Sequence, residues 1–184
     1  MNSESTVYHK RRHAARTTDE YLFNQLVPYL GNKRRLLHLI LEALESTGTL
    51  NNKNGRAPIF ADFFAGSGVV SRLARQNGYR VIANDWEPYS HALNNAILSC
   101  TDAPAFKELG GYQKALDYLN RLPEVKGWVT HNLCPRNDEI YDPSRDRLFF
   151  KRRNGMKIDA IRQQIATWQA QGAIDDVEMS ALLS

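Results

Sequence analysis

No apolar run in the 184 residues approaches the roughly 18 that a membrane span needs. The opening stretch, MNSESTVYHKRRHAARTTDE, has no apolar segment either, so a secretory signal is not expected there. Cysteine is scarce. Cys100 and Cys134 are too few for a disulfide framework, and two reduced thiols in a cytoplasmic protein are the expectation. His131 lies three residues before Cys134, but no second ligand pair accompanies them, so no metal site is expected. Internal repeats and low-complexity tracts are absent. The excess of positive charge is small: 24 Lys and Arg against 20 Asp and Glu, a balance of +4. That permits a nucleic-acid partner without requiring one.

What is present is an alternating pattern. In KRRLLHLILEALES (33–46), Leu36, Leu37, Ile40, Leu41 and Leu44 form one helical stripe. After a polar loop, Ile59 to Phe63 reads as a short buried parallel strand. A small-residue turn follows, and Val69, Val70, Leu73 and Ala74 begin a second helix that Gly78 ends. Arg80 to Ala83 is a second strand, and Pro88 suits the first turn of a third helix. Strand, helix, strand, helix is the unit of parallel sheets with right-handed crossovers. Further on, helices are expected over Tyr112–Leu122 and from about Lys157 to Gln169, where Ile158, Ile161, Ile165 and Trp168 share a face. A last helix starts near Asp175, with Asp175 and Glu178 placed to cap it reciprocally.

The turn IFADFFAGSGVVS (59–71) carries the chemistry. Gly66 and Gly68 lack a β-carbon, so backbone can approach a ligand closely. The helix behind them presents unpaired N–H groups. Asp85 ends the second strand, 19 residues beyond Gly66, where a carboxylate can accept both hydroxyls of a ribose. Together they imply an adenosine-containing cofactor. A purely structural turn, and an Asp85 that only caps the next helix, remain open. Ser71 stands where a dinucleotide fingerprint wants glycine, which disfavours nicotinamide and flavin. No Lys-Ser or Lys-Thr pair follows the glycines, which disfavours a triphosphate loop.

VPYLGNKRRLL (27–37), DFFAGSG (62–68) and ANDWEP (83–88), in that order, resemble the Dam-like adenine-specific DNA methyltransferases. RLFFKRRNGMKIDAIRQQIATW (147–168) extends the likeness, which covers nearly the whole chain from Tyr21 on. The resemblance implies an incomplete Rossmann-like α/β sheet with a mainly helical C-terminal insertion. It implies S-adenosylmethionine as cofactor and double-stranded DNA as partner. Tyr29, Gly31 and Lys33 match the segment that wraps the methionine end of the cofactor. Asp62, Phe64, Ala65, Gly66 and Gly68 match the cofactor loop, and Asp85 the ribose-binding acid. Trp86 sits where an apolar side chain covers adenine; a core role for Phe64 and a structural role for Trp86 are the alternatives. Lys33 could instead be one cation of a helix-start run. Lys151, Arg152 and Arg153 are the DNA-contacting candidates, against solvated surface as the plain alternative. The same alternatives apply to Lys10, Arg11, Arg12 and Arg16.

The family's catalytic Asp/Asn-Pro-Pro-Tyr/Phe motif is missing. Asp142-Pro143-Ser144-Arg145 has only its first two letters and precedes the RLFF segment, so Asp142 reads as a turn residue. No catalytic residue is therefore assigned. The expected organisation is a basic tail over 1–20, the cofactor-binding part over 21–105, and the start of a DNA-recognition region over 106–184. On this reading the chain is the front part of a longer enzyme, and a second chain or a missing C-terminal half supplies the catalytic strand beside Ile59–Phe63. Alone it is expected to be inactive. A non-catalytic DNA-binding or cofactor-binding remnant is the alternative. A dinucleotide oxidoreductase fragment is disfavoured by Ser71 and by PYLGNK.

Overall fold

The computed structural model describes residues 22, 31, 33–49, 56–99 and 103–184. Tyr29, Cys100 and the Lys10–Arg16 cluster lie outside the described residues. The chain divides into two compact units, with the boundary between Thr101 and Asp102. No helix among the described residues is long and apolar enough to cross a membrane.

In the first unit a 3-10 turn, Arg34–Leu36, runs into helix α1, Leu37–Ser46. Leu37, Leu41 and Leu44 are buried at the three- and four-residue spacing the stripe requires. Leu36 departs from the expected stripe. It lies in the 3-10 turn, whose tighter winding rotates it off the buried face, and it is exposed. Strand β1 is Ile59–Asp62, helix α2 Val69–Gln76, strand β2 Arg80–Ala83 and helix α3 Pro88–Leu98. The two strands are parallel, with Ile59 opposite Arg80 and Asp62 opposite Ala83. Helix α2 packs on α1 through Val69 and Leu73 against Leu22, Leu37 and Leu41. A second cluster joins Leu44, Ala74 and Tyr79, with Phe60 and Val81 against it. The Phe60 and Tyr79 rings meet edge to face at 6.1 Å. Gly78 closes α2 with a φ of +90°, a conformation other residues resist.

The strand expected to be buried is only half covered. Phe60 and Asp62 of β1, and Val81 and Ala83 of β2, are partly buried, while Ile59, Ala61, Arg80 and Ile82 are exposed. The side chains of a strand alternate between faces, so one face of this two-stranded sheet meets the helices and the other is open. An unbroken apolar run cannot by itself distinguish one covered face from two.

The second unit is helical: α4 Tyr112–Arg121, α5 Trp128–Leu133, α6 Arg152–Ala170 and α7 Asp176–Leu183. Its core joins Phe106, Ala115, Leu119, Ile165, Trp168 and Ile174. Helix α7 has the reciprocal cap its sequence implies. Asp175 Oδ1 accepts the Glu178 N–H at 2.8 Å, and Glu178 Oε2 accepts the Asp175 N–H at 3.2 Å. The other Glu178 oxygen accepts the amide of Phe106, the one described non-glycine residue with positive φ. Helix α6 begins five residues before the expected start. Its buried positions there are Gly155 and Asp159. Gly155 lets α5 approach, since a β-carbon at this position would run into Cys134 Sγ. Asp159 caps α5, its carboxylate accepting the amides of Gly127, Val129 and Thr130 and the Thr130 hydroxyl at 2.6–2.9 Å.

Candidate cofactor-binding site

Strand β1 delivers Asp62 to the entrance of the glycine turn, and β2 delivers Asp85 to the same end of the sheet. Parallel pairing makes this automatic, because both strands finish side by side. The turn is stitched to the residues that follow β2. The Ala65 N–H donates to the Asn84 carbonyl at 2.9 Å, and the Gly66 N–H donates to Asp85 Oδ2 at 2.7 Å. Asp85 therefore faces the turn. Its Oδ1 accepts the Glu87 N–H at 3.0 Å. The Glu87 amide first, and the Gly66 amide second, hold the Asp85 carboxyl below the usual carboxylate range. A carboxylate offers about four lone-pair directions, so these bonds leave acceptor capacity on both oxygens.

Gly66 and Gly68 have φ of +51° and +72°, the left-handed region that glycine enters without a β-carbon penalty. At Gly68 space is also denied, because a β-carbon there would run into the Asn94 side chain. Gly68→Ala is accordingly expected to destabilise the first unit by about 2 kcal/mol or more, from the left-handed backbone and the overlap together. Equilibrium denaturation compared with wild type reads this directly, and an unchanged midpoint would refute the conformation assigned to the turn. Helix α2 starts just after Gly68 with no side chain capping it.

Ser71, the apparent departure from a three-glycine fingerprint, has a role glycine could not fill. It is fully buried, and its hydroxyl donates to Asp62 Oδ2 at 2.7 Å. The two aromatics flanking the site are not core. Phe64 is 91% exposed and Trp86 94% exposed, which removes the packing explanation for each. Ala65 is buried beneath the turn. A recess of about 270 Å³ beside β2 and α3 takes in Asp85, Ser90, His91 and Asn94. Ser90 and Asn94 were not apparent from the sequence. Their signal is two small polar residues four apart on a helix, which place both on the face that meets the turn.

Of the PYLGNK segment, Gly31 and Lys33 are exposed, Gly31 with a φ of +75° and Lys33 at the start of the 3-10 turn. Tyr29 lies outside the described residues. In the second unit, Lys151 is exposed at the start of α6. Arg152 is partly buried and donates to the Pro135 carbonyl at 3.1 Å, while its own amide donates to Asp138 Oδ1 at 2.7 Å. Arg153 pairs with Glu124 at 2.8 Å on the surface. Arg152 is thus an anchor of the loop before α6. Asp142 is the turn residue its sequence suggested, its Oδ1 accepting the Ser144 hydroxyl at 2.6 Å and amide at 2.9 Å. Cys134 is a free, buried thiol whose pKa burial pushes up.

A glycine turn between parallel strands, met by a strand-end carboxylate and flanked by exposed aromatics, belongs to a mixed α/β protein. Residues 29–183 match the D12 class N6 adenine-specific DNA methyltransferases, and the chain belongs to that family. It is 33% identical to the type II methyltransferase M.NlaIII of Neisseria lactamica over 151 residues, 80% of this chain and 40% of that protein. It is 31% identical to the type II methyltransferase M.CviAII of Paramecium bursaria Chlorella virus 1, over 82% of this chain and 41% of that protein. With the type II methyltransferase M.FokI of Planomicrobium okeanokoites the identity is 30%, over 85% of this chain and 23% of that protein. The chain thus spans less than half the length of these curated relatives. No solved structure matches it.

Proposed function

We propose that this chain is the cofactor-binding part of an adenine-specific DNA methyltransferase and that its glycine turn holds S-adenosylmethionine. The observation that carries this reading is the Asp85 carboxylate, ionised and fixed against Gly66 with acceptor capacity to spare. Those free lone pairs take the two ribose hydroxyls. The exposed Trp86 ring covers the adenine, and Phe64 shields the turn from the other side. Gly66 and Gly68 let the cofactor approach the backbone, and the uncapped start of α2 offers it N–H donors. Ser71 orients Asp62 at the base of the pocket. The resemblance assigns Tyr29, Gly31 and Lys33 to the methionine end of the cofactor. When bound, S-adenosylmethionine supplies an electrophilic methyl on a sulfonium sulfur.

The fold reading is a Rossmann-like sheet of which β1 and β2 are two strands, followed by a helical insertion that begins the DNA-recognition region. The exposed face of β1 and β2, with Ile59 and Ile82 uncovered, supports further chain packed over it, since parallel sheets are covered on both faces. The Asp-Pro-Pro-Tyr or Asn-Pro-Pro-Tyr strand would dock at the free edge of β1, contributed by a C-terminal half or a second chain. Double-stranded DNA is the substrate, with Lys151 and Arg153 as phosphate contacts and Arg152 as a contact that doubles as a loop anchor. The setting is cytoplasmic, and a partner endonuclease of a restriction-modification pair is consistent with the type II relatives.

Titrating the purified chain with S-adenosylmethionine and with NAD tests this. Calorimetric binding of the first and none of the second is expected, with no methyl transfer to adenine-containing duplex. Binding of NAD instead would sink the cofactor assignment, and transfer by this chain alone would sink the reading that the catalytic strand lies elsewhere.

A further inference from the structure

Both polar groups of Gly66 are held by side chains. Asp85 takes its N–H, as described. Its carbonyl accepts two donors from α3: the Ser90 hydroxyl at 2.7 Å and the Asn94 amide at 3.1 Å. The same Asn94 amide nitrogen also donates to the Ser90 carbonyl at 2.9 Å. Ser90 is fully buried and Asn94 nearly so. The acceptors around Asn94 Nδ2 settle which way the amide lies. Asn94 Oδ1 is buried without a hydrogen-bond partner and sits where a Gly68 β-carbon would go. A nearly buried amide left half satisfied carries a cost that a merely packing residue, such as leucine, would not.

That arrangement has a geometric consequence. In a trans peptide the C=O and the N–H point in opposite directions. Among the described residues there are no cis peptides. Pinning the Gly66 carbonyl down onto α3 therefore turns the Ser67 N–H away from α3. We infer that Ser90 and Asn94 are positioning residues: they preset the Ser67 amide as a hydrogen-bond donor for the cofactor's carboxylate. The carboxylate is the one anionic group of S-adenosylmethionine, and a fixed N–H in a glycine turn favours an anion. The adenosine end is served separately by Asp85. The inference rests on the proposed cofactor reading and adds two positioning residues to it.

The two ends of the cofactor give a test that a general structural role would not pass. Ser90→Ala removes one donor with little change in volume, and Asn94→Asp removes the other while leaving an acceptor facing the Gly66 carbonyl. Each variant of the full chain is titrated with S-adenosylmethionine and with 5′-deoxy-5′-methylthioadenosine, which keeps the adenosine and lacks the amino acid. Affinity for S-adenosylmethionine is expected to fall about tenfold in Ser90→Ala and further in Asn94→Asp. Affinity for methylthioadenosine is expected to change less than about twofold, since Asp85 is untouched. Should Asn94→Asp fail to fold, Ser90→Ala alone decides. Equal losses for both ligands would mean that the turn collapses as a whole, and no loss for either would mean that α3 sets nothing; either result overturns the inference. Wild-type protein that binds neither ligand would instead overturn the cofactor reading on which it rests.

Discussion

Asp85→Ala is expected to lower S-adenosylmethionine affinity by about a hundredfold or more. Hydrogen bonds to a charged acceptor contribute about 1.5–3 kcal/mol each, and on the proposed reading the bonds to two ribose hydroxyls are lost together. The partial exposure of the carboxylate argues for the lower end of that range. Alanine also frees the Gly66 and Glu87 amides, so part of its effect comes from the turn itself. Asp85→Asn separates the two contributions. It keeps one acceptor oxygen and the side-chain shape, but turns an NH2 toward either the Gly66 amide or the sugar. A loss close to that of alanine would assign the effect to acceptor capacity rather than to shape. The pH dependence has a definite sign. Because its folded-state pKa is depressed, Asp85 stays ionised throughout the neutral and mildly acidic range. Its contribution to binding is therefore constant there and is lost only as pH falls through the lowered pKa. Calorimetric titration across that range reads it. Unimpaired binding by Asp85→Ala would remove the ribose-holding role altogether.

The elements that announce themselves are those whose physics is local. The capping box of Asp175 and Glu178, the glycine that ends α2, and the Asp85 that follows Gly66 by 19 residues each act over a few bonds or through parallel pairing. What was hidden is what small and polar residues do at a distance. The front of α6 has no apolar periodicity, because the positions it buries are a glycine that admits α5 and an aspartate that caps it. Nothing in a hydrophobic pattern marks either. Ser71 is a similar case: it looks like the failure of a glycine fingerprint until its hydroxyl is seen on Asp62. The strand IFAD illustrates the converse, a run apolar enough for burial on both faces but covered on one. Apolar content reports what a segment tolerates, and only its neighbours decide what it receives.

This reliance on polar contacts makes the second unit sensitive at one carboxylate. Asp159 lies on α6 yet serves α5, accepting three backbone amides and a hydroxyl at the start of a helix too short to stand alone. Burial raises its pKa, and the Thr130 hydroxyl with the Thr130, Val129 and Gly127 amides more than offsets that, so the net displacement is downward. Asp159→Ala leaves these buried donors without an acceptor, and a loss of about 3–5 kcal/mol is expected. That is a large fraction of the roughly 5–15 kcal/mol by which a domain is stable. Far-UV circular dichroism during urea denaturation measures it, since the regular structure described in the unit is helical. Gly127→Ala attacks the same contact from the other side, its β-carbon falling 2.7 Å from the Asp159 carboxyl carbon. Linkage supplies an independent check. A depressed folded-state pKa means that the stabilisation is complete above the unfolded value of about 3.9 and fades as pH drops through the folded one. Asp85 shares that slope, so the informative quantity is the difference between wild type and Asp159→Asn, which cannot titrate at this position. That difference should be constant at neutral pH and shrink in acid. A difference that stayed flat down to the most acidic conditions would show that Asp159 acts by shape, and that α5 is held by packing at Gly155 rather than by charge.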